Sequence, residues 1–150
     1  MAVDKQRLVG VHHVGIPVRD LEQAVAWYRD VLGIEADMLG VAEGEELSRT
    51  VQLPDAKLRS AFVEMGNTIV ELLEYERPIG QDFSLRNCDV GAAHVCVEVE
   101  DIHAAYERMR AQDVSFSSPP VRLSGALEGN WCCYFRGHDG LQFELWQRSG

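Results

Sequence analysis

His13-Val-Gly-Ile-Pro-Val-Arg-Asp20-Leu-Glu-Gln-Ala24 returns 81 positions later as His94-Val-Cys-Val-Glu-Val-Glu-Asp101-Ile-His-Ala-Ala105, and this echo decides the fold. Each copy opens on a histidine and reaches an aspartate. A second phrase closes each half: Gly66-Asn-Thr-Ile-Val-Glu71-Leu in the first, Asp139-Gly-Leu-Gln-Phe-Glu144-Leu in the second. An internal repeat dictates architecture before any local propensity is weighed. Here it also sets two histidines and two glutamates in equivalent places.

Working outward from His13, residues 8–18 alternate. Val9, Val11, His13, Gly15 and Pro17 fall on one face of a strand, and His12, Val14, Ile16 and Val18 on the other, so His12 is predicted to point away from His13. Asp20 suits a helix N-cap with Gln23 in capping-box position. Leu21, Ala24, Val25, Tyr28 and Leu32 form one helical stripe, and Gly33 stops it. The acidic, glycine-rich text from Gly40 to Glu46 predicts an exposed loop. Residues 50–53, 58–64 and 68–74 predict three strands, separated by Pro54-Asp55 and Met65-Gly66-Asn67 turns.

The second half repeats the order. Residues 92–99 predict a strand, Asp101 caps a helix with Ile102, Ala105, Tyr106 and Met109 inward, and residues 130–135 and 141–146 predict a closing hairpin. Its turn, Gly137-His138-Asp139-Gly140, contains an Asp-Gly pair, in which both positions accept positive φ. The fold class is α+β, built from two repeated βαβββ modules that form a curved mixed sheet. We divide the 150 residues into one domain with modules at 8–75 and 92–147, joined by a linker at 76–91 that carries Pro78 and Gly80.

Composition narrows the partners. A formal net charge of -10 and the absence of a Lys/Arg-rich run argue against nucleic acid and against anionic membranes, which leaves a small-molecule substrate. The four cysteines, Cys88, Cys96, Cys132 and Cys133, show no CxxC spacing, and we read a reduced, cytoplasmic setting. No stretch approaches the roughly 20 apolar residues that cross a bilayer.

The candidate chemistry lies in the repeated residues. His13 and His94 take matching places on the first strand of each module, and Glu71 and Glu144 on the last. Imidazole nitrogen and carboxylate oxygen are both ready ligands near neutral pH, and two of each neutralise a dication. A lone histidine in an apolar strand is more often a core residue, so the four-fold coincidence carries the reading. From His to Glu is 58 residues in one half and 50 in the other, which is not a local motif.

From Leu8 to Gln147 the chain resembles the vicinal oxygen chelate superfamily of glyoxalase I, methylmalonyl-CoA epimerase, extradiol dioxygenases and bleomycin-resistance proteins. The resemblance rests on His13-Val-Gly-Ile-Pro-Val with Asp20-Leu, Trp27-Tyr28 to Leu32-Gly33, Ile69-Val-Glu71-Leu-Leu, His94 with Asp101-Ile, and Asp139-Gly-Leu-Gln-Phe-Glu144-Leu. It implies that His13, Glu71, His94 and Glu144 bind one divalent metal ion, with Zn, Ni, Co, Mn, Fe and Mg all compatible. Glyoxalase I enzymes often place an arginine for glutathione four residues after the first ligand. Pro17 stands there, which counts against glutathione.

The leading expectation is an enzyme of lyase, isomerase or epimerase type that removes a proton from carbon next to a carbonyl. Glu144 and Glu71 are the candidate catalytic bases, and Glu45, Glu46 and Glu64 are weaker ones. One alternative is an Fe(II) extradiol-type dioxygenase. Four protein ligands leave an octahedral ion only two open positions, too few for a catecholate plus dioxygen. The other is a metal-free binding or resistance protein, which has no need of both ligand pairs. A homodimer is expected, with the site formed inside one chain or across the interface. His103 and His138 are expected to be exposed. Cys132 and Cys133 are expected to be packing residues, and Trp131, Phe62, Phe135 and Trp146 core or pocket wall.

Overall fold

The computed structural model describes residues 9–150 and divides the chain into two compact units, one ending at Ile79 and one starting at Gly80. The first runs β1 (His13–Pro17), α1 (Leu21–Trp27), β2 (Ala36–Glu43), α2 (Glu45–Val51), β3 (Lys57–Glu64) and β4 (Ile69–Arg77). The second runs β5 (His94–Glu98), α3 (Ile102–Arg110), β6 (Val121–Arg122), β7 (Trp131–Arg136) and β8 (Gln142–Gln147). The sheet orders are β1-β4-β3-β2 and β5-β8-β7-β6, so both units are α+β with the same four-stranded mixed topology. In each, the first and last strands are parallel neighbours and the others are antiparallel.

Both helices start as their sequences demand. The Asp20 carboxylate accepts from Gln23 N at 2.8 Å, and Asp101 accepts from Ala104 N at 3.0 Å. A further backbone donor is met by the last strand: Leu21 N donates to Glu74 Oε2 at 2.9 Å, and Ile102 N donates to Gln147 Oε1 at 2.8 Å. These two side chains stand three residues beyond Glu71 and Glu144, on the opposite, helix-bearing face. The helices thus tie down the strands that carry the glutamates. The first unit's core holds Leu21, Ala24, Tyr28, Ala61, Val63 and Leu72; the second unit's core holds Ile102, Met109, Phe135, Phe143 and Leu145. After Trp27 the first helix widens into a π-helical stretch, Tyr28–Leu32, which ends at Gly33 with φ 72°.

Several boundaries differ from the sequence reading. Regular strand structure begins at His13 and not at residue 8; Leu8 itself lies outside the described residues. The text from Gly40 to Glu46 is no loop. It holds the end of β2 and the start of α2, because β2 is an edge strand, mostly exposed along its length, which tolerates acids and a bulge at Gly40 with φ 97°. Residues 50–53 are no strand. Thr50 and Val51 finish α2, whose first turn carries Glu45 and Glu46 where acidic groups favour a helix, and Gln52 closes it in the left-handed region. Each module is still strand, helix and three strands, with α2 inserted in the first. Glu76 and Arg77 belong to β4 and not to the linker. The hairpin turn has the expected backbone: Asp139 and Gly140 take φ of 52° and 72°.

Candidate functional site

The parallel pairing places each glutamate relative to its histidine. In the first unit His13 registers with Ile69 and Gly15 with Glu71; in the second His94 registers with Gln142 and Cys96 with Glu144. Each Glu therefore sits two residues further along the neighbouring strand, on the same face, as a diagonal neighbour of its His. The outcome is the same twice: His13 Nε2 lies 3.1 Å from Glu71 Oε2, and His94 Nε2 lies 3.1 Å from Glu144 Oε2. Among the described residues no cluster of three or more His, Cys, Asp or Glu forms a ready-made metal site. Each unit presents a pair.

The separation fits an ion. Two ligand atoms held at about 2.1 Å from one octahedral metal, at right angles, are about 3.0 Å apart. At 3.1 Å each carboxylate also draws the ring's positive edge toward it when Nε2 carries a hydrogen. The histidines are two-fifths exposed, so each pair is open to a ligand from one side, while Glu71 is 20% exposed and Glu144 only 9%.

The two pairs have different neighbours. Glu144 shares its face with Cys96 and Tyr134, directly opposite it on the two neighbouring strands, and with Cys132 two residues before Tyr134. Burial first, and then the Glu144 charge, pushes the Cys96 thiol up to about 12 and raises Cys132 and Tyr134 as well, so none of the three is a ready anion. In the first unit the same positions carry Phe62, Gly15 and Ser60. Phe62 packs near His13, with ring centroids 6.0 Å apart, and Tyr134 stands at 5.3 Å from His94.

Three expectations are corrected. His12 does not point away from His13: their Nδ1 atoms are 2.9 Å apart, because His12 precedes the first regular strand residue and escapes strand alternation. His138 is not exposed. Its ring is buried with Nδ1 3.5 Å from Asp139 Oδ2, since the tight turn folds it back to within 6.2 Å of the Phe143 ring. Burial lowers its pKa, which Asp139 only partly opposes. Cys133 is buried as expected, but Cys132 shares the Glu144 face and is half-buried. His103 is exposed and stacks edge-on against Trp131 at 4.9 Å. Phe135 is core, whereas Phe62, Trp131 and Trp146 are half-buried. Glu45, Glu46 and Glu64 are exposed, and only Glu64, two residues beyond Phe62, shares the face of Glu71. The residues around Glu144 escaped the sequence reading; tyrosine and cysteine in an alternating run look like packing until the register is known.

The model of the Glyoxalase/Bleomycin resistance protein/Dioxygenase superfamily matches residues 10–145, and the chain belongs to that family. It is 34% identical over 143 residues to a 2-epi-5-epi-valiolone epimerase from Actinomyces sp, covering 91% of this chain and 78% of that protein. It is 33% identical over 118 residues to the mitochondrial methylmalonyl-CoA epimerase of Homo sapiens, covering 75% of this chain and 59% of that one. Among solved structures, a glyoxalase family protein from Bacillus cereus shares the fold with a TM-score of 0.77 at 22% identity, covering 99% of this chain and all of that one. No helix among the described residues is long and apolar enough to cross a membrane.

Proposed function

We propose that the protein is a divalent-metal-dependent epimerase that moves a proton at carbon next to a carbonyl, with one ion held by His13 and Glu71 together with His94 and Glu144. The observation that carries this reading is the recurrence of a His–Glu pair at 3.1 Å on equivalent strands of both units. Similarity to two proteins named as epimerases supports the reaction type. When bound, the ion supplies fixed positive charge near a substrate oxygen, which counts most in a site that excludes water.

The chain's own residues do the proton work. A carboxylate takes the proton from the carbon, the electron pair of the C–H bond moves toward the carbonyl oxygen, and a proton delivered from solvent to the opposite face inverts the centre. Glu71 suits the role of mobile base better than Glu144. It is the more exposed of the two, and Phe62 and Gly15 stand beside it where Tyr134 and Cys96 flank Glu144. Glu144 is then the fixed ligand. The substrate is a small metabolite with an enolisable carbon, either a 2-oxo polyol or an acyl thioester. A cytoplasmic homodimer is the proposed state, supported by the four free thiols and by exposed Met38, Leu39 and Val41 on edge strand β2.

The test is metal content by mass spectrometry on wild type and Glu71→Ala purified without chelators, joined to exchange of substrate hydrogen for solvent deuterium. One equivalent of a divalent ion, with exchange in a 2-oxo polyol or an acyl thioester, is expected. Iron indifferent to Glu71, with oxygen uptake on catechols, would replace the epimerase by a dioxygenase. Tight ligand binding by metal-free protein would replace it by a binding role.

A further inference from the structure

A histidine that binds metal through one ring nitrogen has its other nitrogen to place, and in the first unit the preceding residue takes it. His12 Nδ1 stands 2.9 Å from His13 Nδ1, with the rings edge to face at 5.1 Å and 88°. The Phe62 ring lies beside both, 6.4 Å from His12 and 6.0 Å from His13, and limits how far either ring can turn. Two imidazole nitrogens at this distance share one hydrogen, so one ring donates and the other accepts.

The direction of that bond follows from Glu71. Its carboxylate can only accept, and a lone pair on Nε2 would face that charge at 3.1 Å, so with no ion bound the contact favours the hydrogen of His13 on Nε2. Nδ1 of His13 is then the acceptor and His12 Nδ1–H the donor. For Nε2 to serve a metal it must offer a lone pair, which shifts the hydrogen of His13 to Nδ1. The bond to His12 survives only if His12 becomes the acceptor and carries its own hydrogen on Nε2. The pair holds two ring hydrogens before and two after; their places change and their number does not. A backbone carbonyl or a carboxylate could accept but not donate, and an ammonium could donate but not accept. An imidazole does both.

We infer that His12 is a positioning residue: a tautomer partner that keeps the His13 ring in one orientation whether the site is empty or loaded. This rests on the reading of His13 as a metal ligand. Ala93 stands at the matching place before His94, so the device belongs to the first unit alone. Partners of a ligand histidine's second nitrogen typically contribute 10–100-fold in metal affinity.

The test uses the full chain at about pH 8, where ordinary imidazoles are neutral. Long-range proton–nitrogen correlation spectra of histidine-labelled protein, without metal and after titration with Zn²⁺, report which nitrogen carries each hydrogen. The expected change is His12 from Nδ1–H to Nε2–H and His13 the reverse. Zn²⁺ affinity by chelator competition is expected to fall at least about tenfold in His12→Ala. In His12→Asn, whose amide can donate or accept, it should stay within about threefold of wild type. A His12 tautomer unmoved by Zn²⁺, or wild-type affinity in His12→Ala while His13→Ala loses it, overturns the inference and leaves the metal reading standing. Wild-type affinity in His13→Ala overturns both.

Discussion

Matched position by position, the two sheets carry the same His–Glu pair in opposite surroundings. In the first unit the row through the glutamate reads Phe62, Glu71, Gly15, flanked by Glu64, Ile69, His13 and by Ser60, Leu73, Pro17. In the second it reads Tyr134, Glu144, Cys96, flanked by Arg136, Gln142, His94 and by Cys132, Trp146, Glu98. Most positions that are apolar or small in the first row set offer a hydrogen bond in the second. The Glu–His geometry is the same to a tenth of an ångström, and so is the tie from the last strand to the start of the helix. What a repeat retains is the backbone register that makes a ligand pair. What it leaves free is the layer of side chains around that pair, which buries Glu144 more deeply than Glu71.

The largest effect expected from this contrast is catalytic. Glu71→Gln should lower kcat by about 10²–10⁴, the usual contribution of a general base, with metal binding weakened but not lost because the amide oxygen can still meet an ion. Glu144→Gln should lose both turnover and metal. Steady-state kinetics on an identified substrate with metal analysis of each variant reads the difference, and identical behaviour of the two variants would erase the distinction between the units.

Next in size is a pair of core truncations at equivalent, fully buried sites. Leu72→Ala and Leu145→Ala should each cost about 2–5 kcal/mol in denaturant unfolding, from lost burial plus the cavity left behind. A cost several-fold smaller at one of them would mean that its unit's core collapses around the gap, and the units would then differ in packing as well as in the site.

The smallest effect is a pH dependence that only the second unit should show, since the first has no histidine in its Met65-Gly66-Asn67 turn. Burial depresses the pKa of His138 in the fold. The unfolded chain therefore binds more protons than the native one between that depressed value and the ordinary imidazole value of about 6.5. Stability should be at its plateau above about pH 6.5 and fall as acid is added below it. His138→Asn should flatten this part of the acid limb in thermal scans; an unchanged slope would remove His138 from the account.

Much of this was legible in the chain. Asp20 and Asp101 announced the helix starts, Asp139-Gly140 announced the turn, and the echo of His13 and Glu71 by His94 and Glu144 announced the pairs. The failures share a cause. The end of β2 and the start of α2 were taken for a loop because an edge strand exposed on both faces needs no apolar alternation, and the end of α2 was taken for a strand because Thr50 and Val51 are β-favouring residues held helical by the turn before them. His12 and His138 were misplaced because ring positions at a strand start and in a tight turn depend on backbone angles that no periodicity encodes.

By itself the sequence determined which residues recur, and so the strand-then-helix opening of each half, its last two strands and the identity of the paired His and Glu residues. Only the tertiary structure decided that each Glu lies diagonal to its His at 3.1 Å, that Tyr134, Cys96 and Cys132 share the face of Glu144, and that His12 turns toward His13. The physical reason is that residue type and period are local properties of a chain. Which strands lie side by side, and in which register, is fixed by burying the helix-bearing face of a whole sheet at once.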